Sequence, residues 1–147
     1  MKKDHLIDII ACMLILLLFY AACSKLFNYG EFRFQLGRSP FIDHIAGLVV
    51  WSIPAAEIAI AVLLIPKKTR LLGFYGSFVL MFLFTGYIYA MLRYSPFLPC
   101  SCGGVLGKMS WNQHLKFNIF FTLLPLIAIL MSRTDKVKKT ALMTSHT

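Results

Sequence analysis

Four apolar runs, each about twenty residues long, divide this sequence and leave little else. They cover residues 6–26, 47–65, 71–92 and 111–131. About 20 apolar residues wound as a helix cross the hydrocarbon core of a bilayer. None of the runs alternates polar and apolar side chains with period two, so a lipid-facing barrel strand is not the reading. The chain has 147 residues, of which 59% are hydrophobic and 14% charged. A soluble domain of this length has too much surface to hide so much apolar side chain. The expected fold is therefore all-α: an integral membrane four-helix bundle forming a single membrane domain over residues 1–147. Residues 27–46 and 93–110 join the spans on one side. The first of these loops is expected at the membrane interface.

Lys and Arg placement sets the expected direction. Lys2, Lys3, Lys67, Lys68, Arg70, Arg133, Lys136, Lys138 and Lys139 fall on one side, nine in all. Lys25, Arg33, Arg38, Arg93, Lys108 and Lys116 fall on the other, six in all. The excess places both termini in the cytoplasm and the 93–110 loop on the outer face of a bacterial cytoplasmic (inner) membrane. The net charge of +9 comes from these short clusters, so membrane lipid rather than nucleic acid is the expected partner. Lys2-Lys3, an apolar stretch and Ala21-Ala22-Cys23 have the outline of a lipoprotein signal. Tyr20 is bulky for the third position before the cysteine, however, and cleavage would leave an odd number of spans.

Local signals refine the picture. In the 27–46 loop, Phe27, Phe32, Phe34, Leu36, Phe41 and Ile42 alternate with Glu31, Arg33, Gln35 and Arg38, as suits a segment lying among headgroups. Ser39-Pro40 is placed to open the second span as N-cap and first helical residue. Pro66 and Lys67-Lys68 close it. Ser110 is placed to cap the fourth span, with Trp111 at the interface. Gly103, Gly104 and Gly107 make the preceding loop tight.

Within this frame a few residues could carry chemistry. Cys100-Ser101-Cys102 follows Pro96 and Pro99 and precedes Gly103-Gly104. A disulfide between cysteines one residue apart closes a small, strained ring, and strain makes a disulfide reducible. The pair suits electron exchange, but a static disulfide is also consistent with it. Free thiols are the weaker alternative, because outside the cytoplasm thiols tend to oxidise. Two thiolates could also hold a soft ion such as Cu(I), with His114 nearby, although no second cysteine pair completes a zinc site. No metal is expected. Cys23 lies near the outer end of the first span. Cys12 is eleven residues earlier, on nearly the same helix face, so the two could form a thiol relay or simply serve as small hydrophobes.

Glu57 is the acidic residue near the middle of a span, and burying it requires pairing, protonation or a polar cavity. Pro54 frees the carbonyl of Val50 and can kink the helix there. Lys25 is the candidate partner. His114 and Asn118 share a face of the fourth helix. His114 is a candidate proton donor or acceptor for thiol exchange, and equally part of a polar helix end.

These motifs together resemble the DoxX-like superfamily of four-helix membrane proteins, and within it the MauE branch. The resemblance rests on Ser24-Lys25-Leu26, on Phe32 to Leu36, on Pro54-Ala55-Ala56-Glu57, on Cys100-Ser101-Cys102-Gly103-Gly104 and on Lys116-Phe117-Asn118. The family pattern carries an aromatic residue after the second cysteine, where this chain has Gly103. The resemblance implies a redox-associated membrane protein. A member of the branch is linked to maturation of a disulfide-rich amine dehydrogenase subunit, and DoxX-like relatives to quinone-coupled sulfur oxidation.

The expected function is thiol-disulfide exchange, or maturation of an extracytoplasmic client, through Cys100 and Cys102. The partner would be a thioredoxin-like protein or the client itself, and quinone near Glu57 and Lys25 a candidate electron acceptor. Two other readings stand beside it: a non-enzymatic membrane subunit or chaperone with structural cysteines, and a small-molecule or metal transporter. In intact cells treated with reductant, a membrane-impermeant thiol reagent should label Cys100 and Cys102. Labelling only after lysis and reduction would reverse the orientation.

Overall fold

The structure is a computed structural model. It describes residues 2–95 and 110–144, with residues 135–144 described by their backbone alone. Among the described residues there are helices and no strands. Helix α1 spans Lys2–Phe27 and a short α2 spans Tyr29–Gly37. A 3₁₀ turn, Asp43–Ile45, leads into α3, Ala46–Leu64. Helices α4, Arg70–Tyr94, and α5, Trp111–Thr144, complete the chain. Four of these helical segments are long and apolar enough to cross a membrane: Lys2–Phe27, Asp43–Leu64, Arg70–Tyr94 and Trp111–Thr134. They coincide with the four runs read from the sequence.

The long helices form an up-and-down bundle. Each packs mainly on its neighbours in chain order, and α5 returns to α1 to close the ring. The interior is thin, with Leu14, Leu18, Leu64 and Phe74 sealed beside the small Ala11, Ala61 and Ala128. Large apolar side chains face outward instead, among them Leu16, Phe19, Leu48, Val62, Phe82 and Leu83. That inversion suits a hydrocarbon solvent, in which outward apolar surface carries no penalty and every backbone polar group must be bonded internally. Four hydroxyls follow the same rule, although that of the buried Ser77 does not. Ser52, Thr85, Thr122 and Ser132 each donate to the carbonyl four residues earlier, at 2.7–2.8 Å. Thr85 and Thr122 also meet across α4 and α5 at 3.2 Å.

At the end carrying both termini, Asp8 of α1 pairs with Arg70 at the start of α4. Arg70 also donates to the Leu64 and Ile65 carbonyls at 3.1 and 3.3 Å. These carbonyls have no intrahelical partner at the end of α3, so Arg70 caps one helix while neutralising the charge embedded in another. Arg133 of α5 donates to Tyr75 of α4 at 3.0 Å on the same side.

Two local expectations need correction. Ser39-Pro40 does not open the second span. Residues 40–42 make a turn, the 3₁₀ segment intervenes, and Ile45 is the N-cap of α3 without a side-chain cap bond. Ser39 is instead fully buried, and its hydroxyl lies 3.7 Å from the sulfur of Met91. The 27–46 loop is also more ordered than its alternating residues suggested. Its first half is α2, which buries Phe32, Gln35 and Leu36 on one helical face. Ser110, by contrast, does cap α5. Its hydroxyl accepts from the Gln113 N–H at 3.4 Å, while the Gln113 side chain accepts from the Ser110 N–H at 3.0 Å, forming a reciprocal capping box.

Helices α3 and α4 approach closely at Gly73 and Gly76. A Cβ on Gly73 would lie 2.9 Å from the Leu64 side chain and 3.0 Å from its backbone nitrogen. A Cβ on Gly76 would meet Ile60 at 3.1 Å. Small residues at such contacts let helices pack without a hydrophobic drive between them. Gly73→Ala should therefore force the two helices apart and cost about 1–3 kcal/mol. Thermal unfolding of the purified protein in detergent reads this out, and an unchanged midpoint would show that the contact is not tight. Gly47→Ala, with open space around it, is the matched control.

Candidate functional site

In the half of the bundle away from the termini, α1, α2, α3, α4 and α5 all contribute to one polar cluster inside apolar walls. Its centre is an ion pair. Lys25, in the last turn of α1, places Nζ 2.6 Å from Oε1 of Glu57 on α3. Glu57 is only 1% exposed, so its charge has no water to stabilise it. Lys25 also donates to the Ala21 carbonyl at 3.4 Å. Its ammonium lies 5.9 Å from the ring centre of Phe32 on α2 and 5.3 Å from that of Phe84 on α4. Both contacts lie within the range of cation–π attraction. One lysine thus ties four helices together.

Local sequence explains the placement. Glu57 follows the buried Pro54 by three residues, about one turn beyond the point where proline removes an N–H from the helical ladder. Lys25 sits two residues before the end of α1, so its long stem can reach down beside the bundle wall. Short α2 then packs Phe32 and Leu36 against Ala46 and Val50 of α3 and closes one side.

Around the pair lies a cavity of about 310 Å³. Leu18, Ile53, Leu80 and Phe84 supply apolar wall, while Lys25, Glu57, Gln35, His114 and Asn118 supply polar groups. Two buried oxygens on lining residues lack a hydrogen-bond partner: Oε2 of Glu57 and Oε1 of Gln35. The Gln35 amide nitrogen donates to Glu31 Oε1 at 2.8 Å. That bond fixes which end of the amide is oxygen, because the reverse orientation would set two acceptors against each other.

The structure therefore gathers four of the residues singled out in the sequence, Lys25, Glu57, His114 and Asn118, around one cavity. It does not bring Cys12 or Cys23 there. Cys12 is exposed, Cys23 is half-buried, and neither lines the cavity. Eleven residues of helix separate the two thiols by about 16 Å along the axis, whereas exchange needs sulfurs at bonding contact, about 2 Å. Nothing passes between them without a carrier. Cys100 and Cys102 lie outside the described residues. Their segment is bracketed by Ser95, the C-cap of α4, and Ser110, the N-cap of α5. Both stand at the same end of the bundle as the cavity. Among the described residues no three His, Cys, Asp or Glu side chains converge on one point.

Gln35 escaped the sequence reading. Its signal was the spacing Phe32, Gln35, Leu36, which shares one face only if the segment is helical. The neighbouring charges Glu31, Arg33 and Arg38 masked that period.

Compared with known proteins, residues 3–131 match the family model described as Methylamine utilisation protein MauE. No curated protein and no solved structure matches the chain.

Removing one partner of a buried ion pair strands the other charge, typically at a cost of about 3–5 kcal/mol. Lys25→Met and Glu57→Leu should each lower stability by that order, and the double variant should recover most of the loss. Thermal unfolding of all four proteins in the same detergent measures the coupling. Strictly additive losses would mean that the two charges do not stabilise one another.

Proposed function

The chain belongs to the MauE family of methylamine utilisation proteins and is a multi-pass membrane protein, and on that premise we propose that it carries out thiol-disulfide exchange, in support of an extracytoplasmic client's maturation, through Cys100 and Cys102. The observation that carries the proposal is that Ser95 and Ser110, which flank the two cysteines in the sequence, stand at the end of the bundle where the buried Lys25–Glu57 cluster lies. The excess of Lys and Arg on the other side supports an outer-face location in a bacterial inner membrane.

The reaction is a balanced exchange. A client thiolate attacks one sulfur of the Cys100–Cys102 disulfide and forms a mixed disulfide, releasing the other cysteine as thiolate. The second client thiolate then attacks the mixed disulfide, leaving an oxidised client and a reduced Cys100/Cys102 pair. Two electrons have moved to this chain. The disulfide of a thioredoxin-like partner removes them by the same two steps, becoming a dithiol as the pair is reoxidised. Strain in the small ring drives the first step, since a strained disulfide has the more oxidising potential. In this reading His114, one turn into α5 and on the cavity wall, holds the proton that an attacking thiol gives up.

Cys100→Ser and Cys102→Ser should each either trap a mixed disulfide or stop client oxidation. The assay is alkylation of client thiols followed by mass spectrometry, which also identifies the trapped partner. A client redox state identical to wild type in both variants would overturn the proposal. A double Cys→Ser protein that keeps its function but loses stability would assign the chain instead to a non-enzymatic membrane subunit.

A further inference from the structure

The cavity beside Lys25 and Glu57 lacks what its walls call for. Two oxygens, Glu57 Oε2 and Gln35 Oε1, are buried with no donor, and a buried acceptor left unmade carries a desolvation cost that a bonded one does not. Both belong to residues that line the cavity. The missing partner is a hydrogen-bond donor, and two are wanted.

Three further observations narrow the chemistry. The walls are predominantly apolar, with Leu18, Ile53, Leu80 and Phe84 among them. Water needs two to four polar partners to stay in such a space, so a body with apolar surface fills it better. The volume of about 310 Å³ is roughly twice that of an engineered cavity that takes up benzene, which leaves room for a substituted ring but far exceeds a single small cation. Lastly, Tyr20 and Leu83 both line the cavity and are exposed on the outer, lipid-facing surface. Leu83 lies eleven residues from the end of α4, about 16 Å along the helix. That is hydrocarbon depth, so whatever enters there is dissolved in the membrane.

We propose that this cavity binds the ring of a lipid-soluble hydroquinone, with Glu57 Oε2 and Gln35 Oε1 accepting hydrogen bonds from its hydroxyls and its tail leaving past Tyr20 and Leu83. The ion pair holds Glu57 in place, and the bond to Glu31 holds the Gln35 amide with its oxygen as the remaining acceptor. The reduced ring carries two donors, whereas the oxidised quinone carries only acceptors and would set oxygen against oxygen. The site is therefore selective for the reduced form. The inference does not depend on the cysteines.

The test uses full-length protein in nanodiscs, with decylubiquinol and decylubiquinone as probes. Trp111 lines the cavity, so in a Trp51→Phe background its fluorescence reports occupancy. Saturable quenching by decylubiquinol is expected, with affinity at least about tenfold above that for decylubiquinone, as the two added hydrogen bonds require. Gln35→Leu should weaken the quinol and erase most of the preference. Ile53→Trp, which fills the cavity from α3, should abolish binding of both probes, and calorimetric titration checks this without reliance on fluorescence. The Cys100→Ser/Cys102→Ser double variant should bind as wild type does, which separates this inference from the thiol-exchange reading. Non-saturable quenching, equal affinity for the two redox forms, or a preference that survives Gln35→Leu would overturn it.

Discussion

A carboxylate inside hydrocarbon must be matched by a cation, and the Lys25–Glu57 pair meets that demand in a way that organises the bundle. Desolvating either charge alone is prohibitive. Each therefore fixes the other, and with them the register of α1 against α3. The two aromatic faces over the ammonium extend the same constraint to α2 and α4. Little else holds these helices together strongly, because lipid is as apolar as the side chains it meets. The Asp8–Arg70 pair repeats the device at the opposite end. The spans are thus pinned by charge at two levels, and α3 and α4 approach closely by way of Gly73 and Gly76.

Much of this was legible in the sequence because the bilayer leaves few options. Length and apolarity fix the spans, and the cost of a buried carboxylate leads from Glu57 to a search for Lys25. Ser110 was legible for the same kind of reason, since a helix start needs its N–H groups satisfied. The misreadings share a different cause. Ser39-Pro40 has the local signature of a helix start, but packing against Met91 claims the serine, and α3 begins only after an extra 3₁₀ turn. In α2, polar residues interleaved with aromatics imitate a two-residue period, while burial follows the helical one. Arg70 looked like a topology signal and proved also to be a helix cap and an ion-pair partner. Its role depends on which carbonyls end up nearby, and no single-sequence pattern carries that.

The two halves of the functional reading rest on different ground. Cys100 and Cys102 owe their interest to composition and spacing, and family membership supplies their context. The cavity owes its interest to geometry alone. It combines a charged pair, two unmet acceptors and an apolar wall, an assembly that packing by itself would not select, because an apolar core of the same volume would carry no such cost. A membrane chain of this size has few places to store polar groups, and here five of them, Lys25, Glu57, Gln35, His114 and Asn118, line one cavity.

The closeness of Lys25 Nζ to Glu57 Oε1, 2.6 Å, also bears on how the protein meets an energised membrane. A lone charge crossing the bilayer exchanges about 2.3 kcal/mol with a potential of 100 mV. Opposite charges this close span less than a tenth of a hydrocarbon core about 30 Å thick, so the field does at most roughly 0.2 kcal/mol of work on the pair. The centre of the bundle is in effect electrically silent. Its occupancy by a neutral molecule is then governed by how much of that molecule the membrane holds, and hardly at all by the voltage across it.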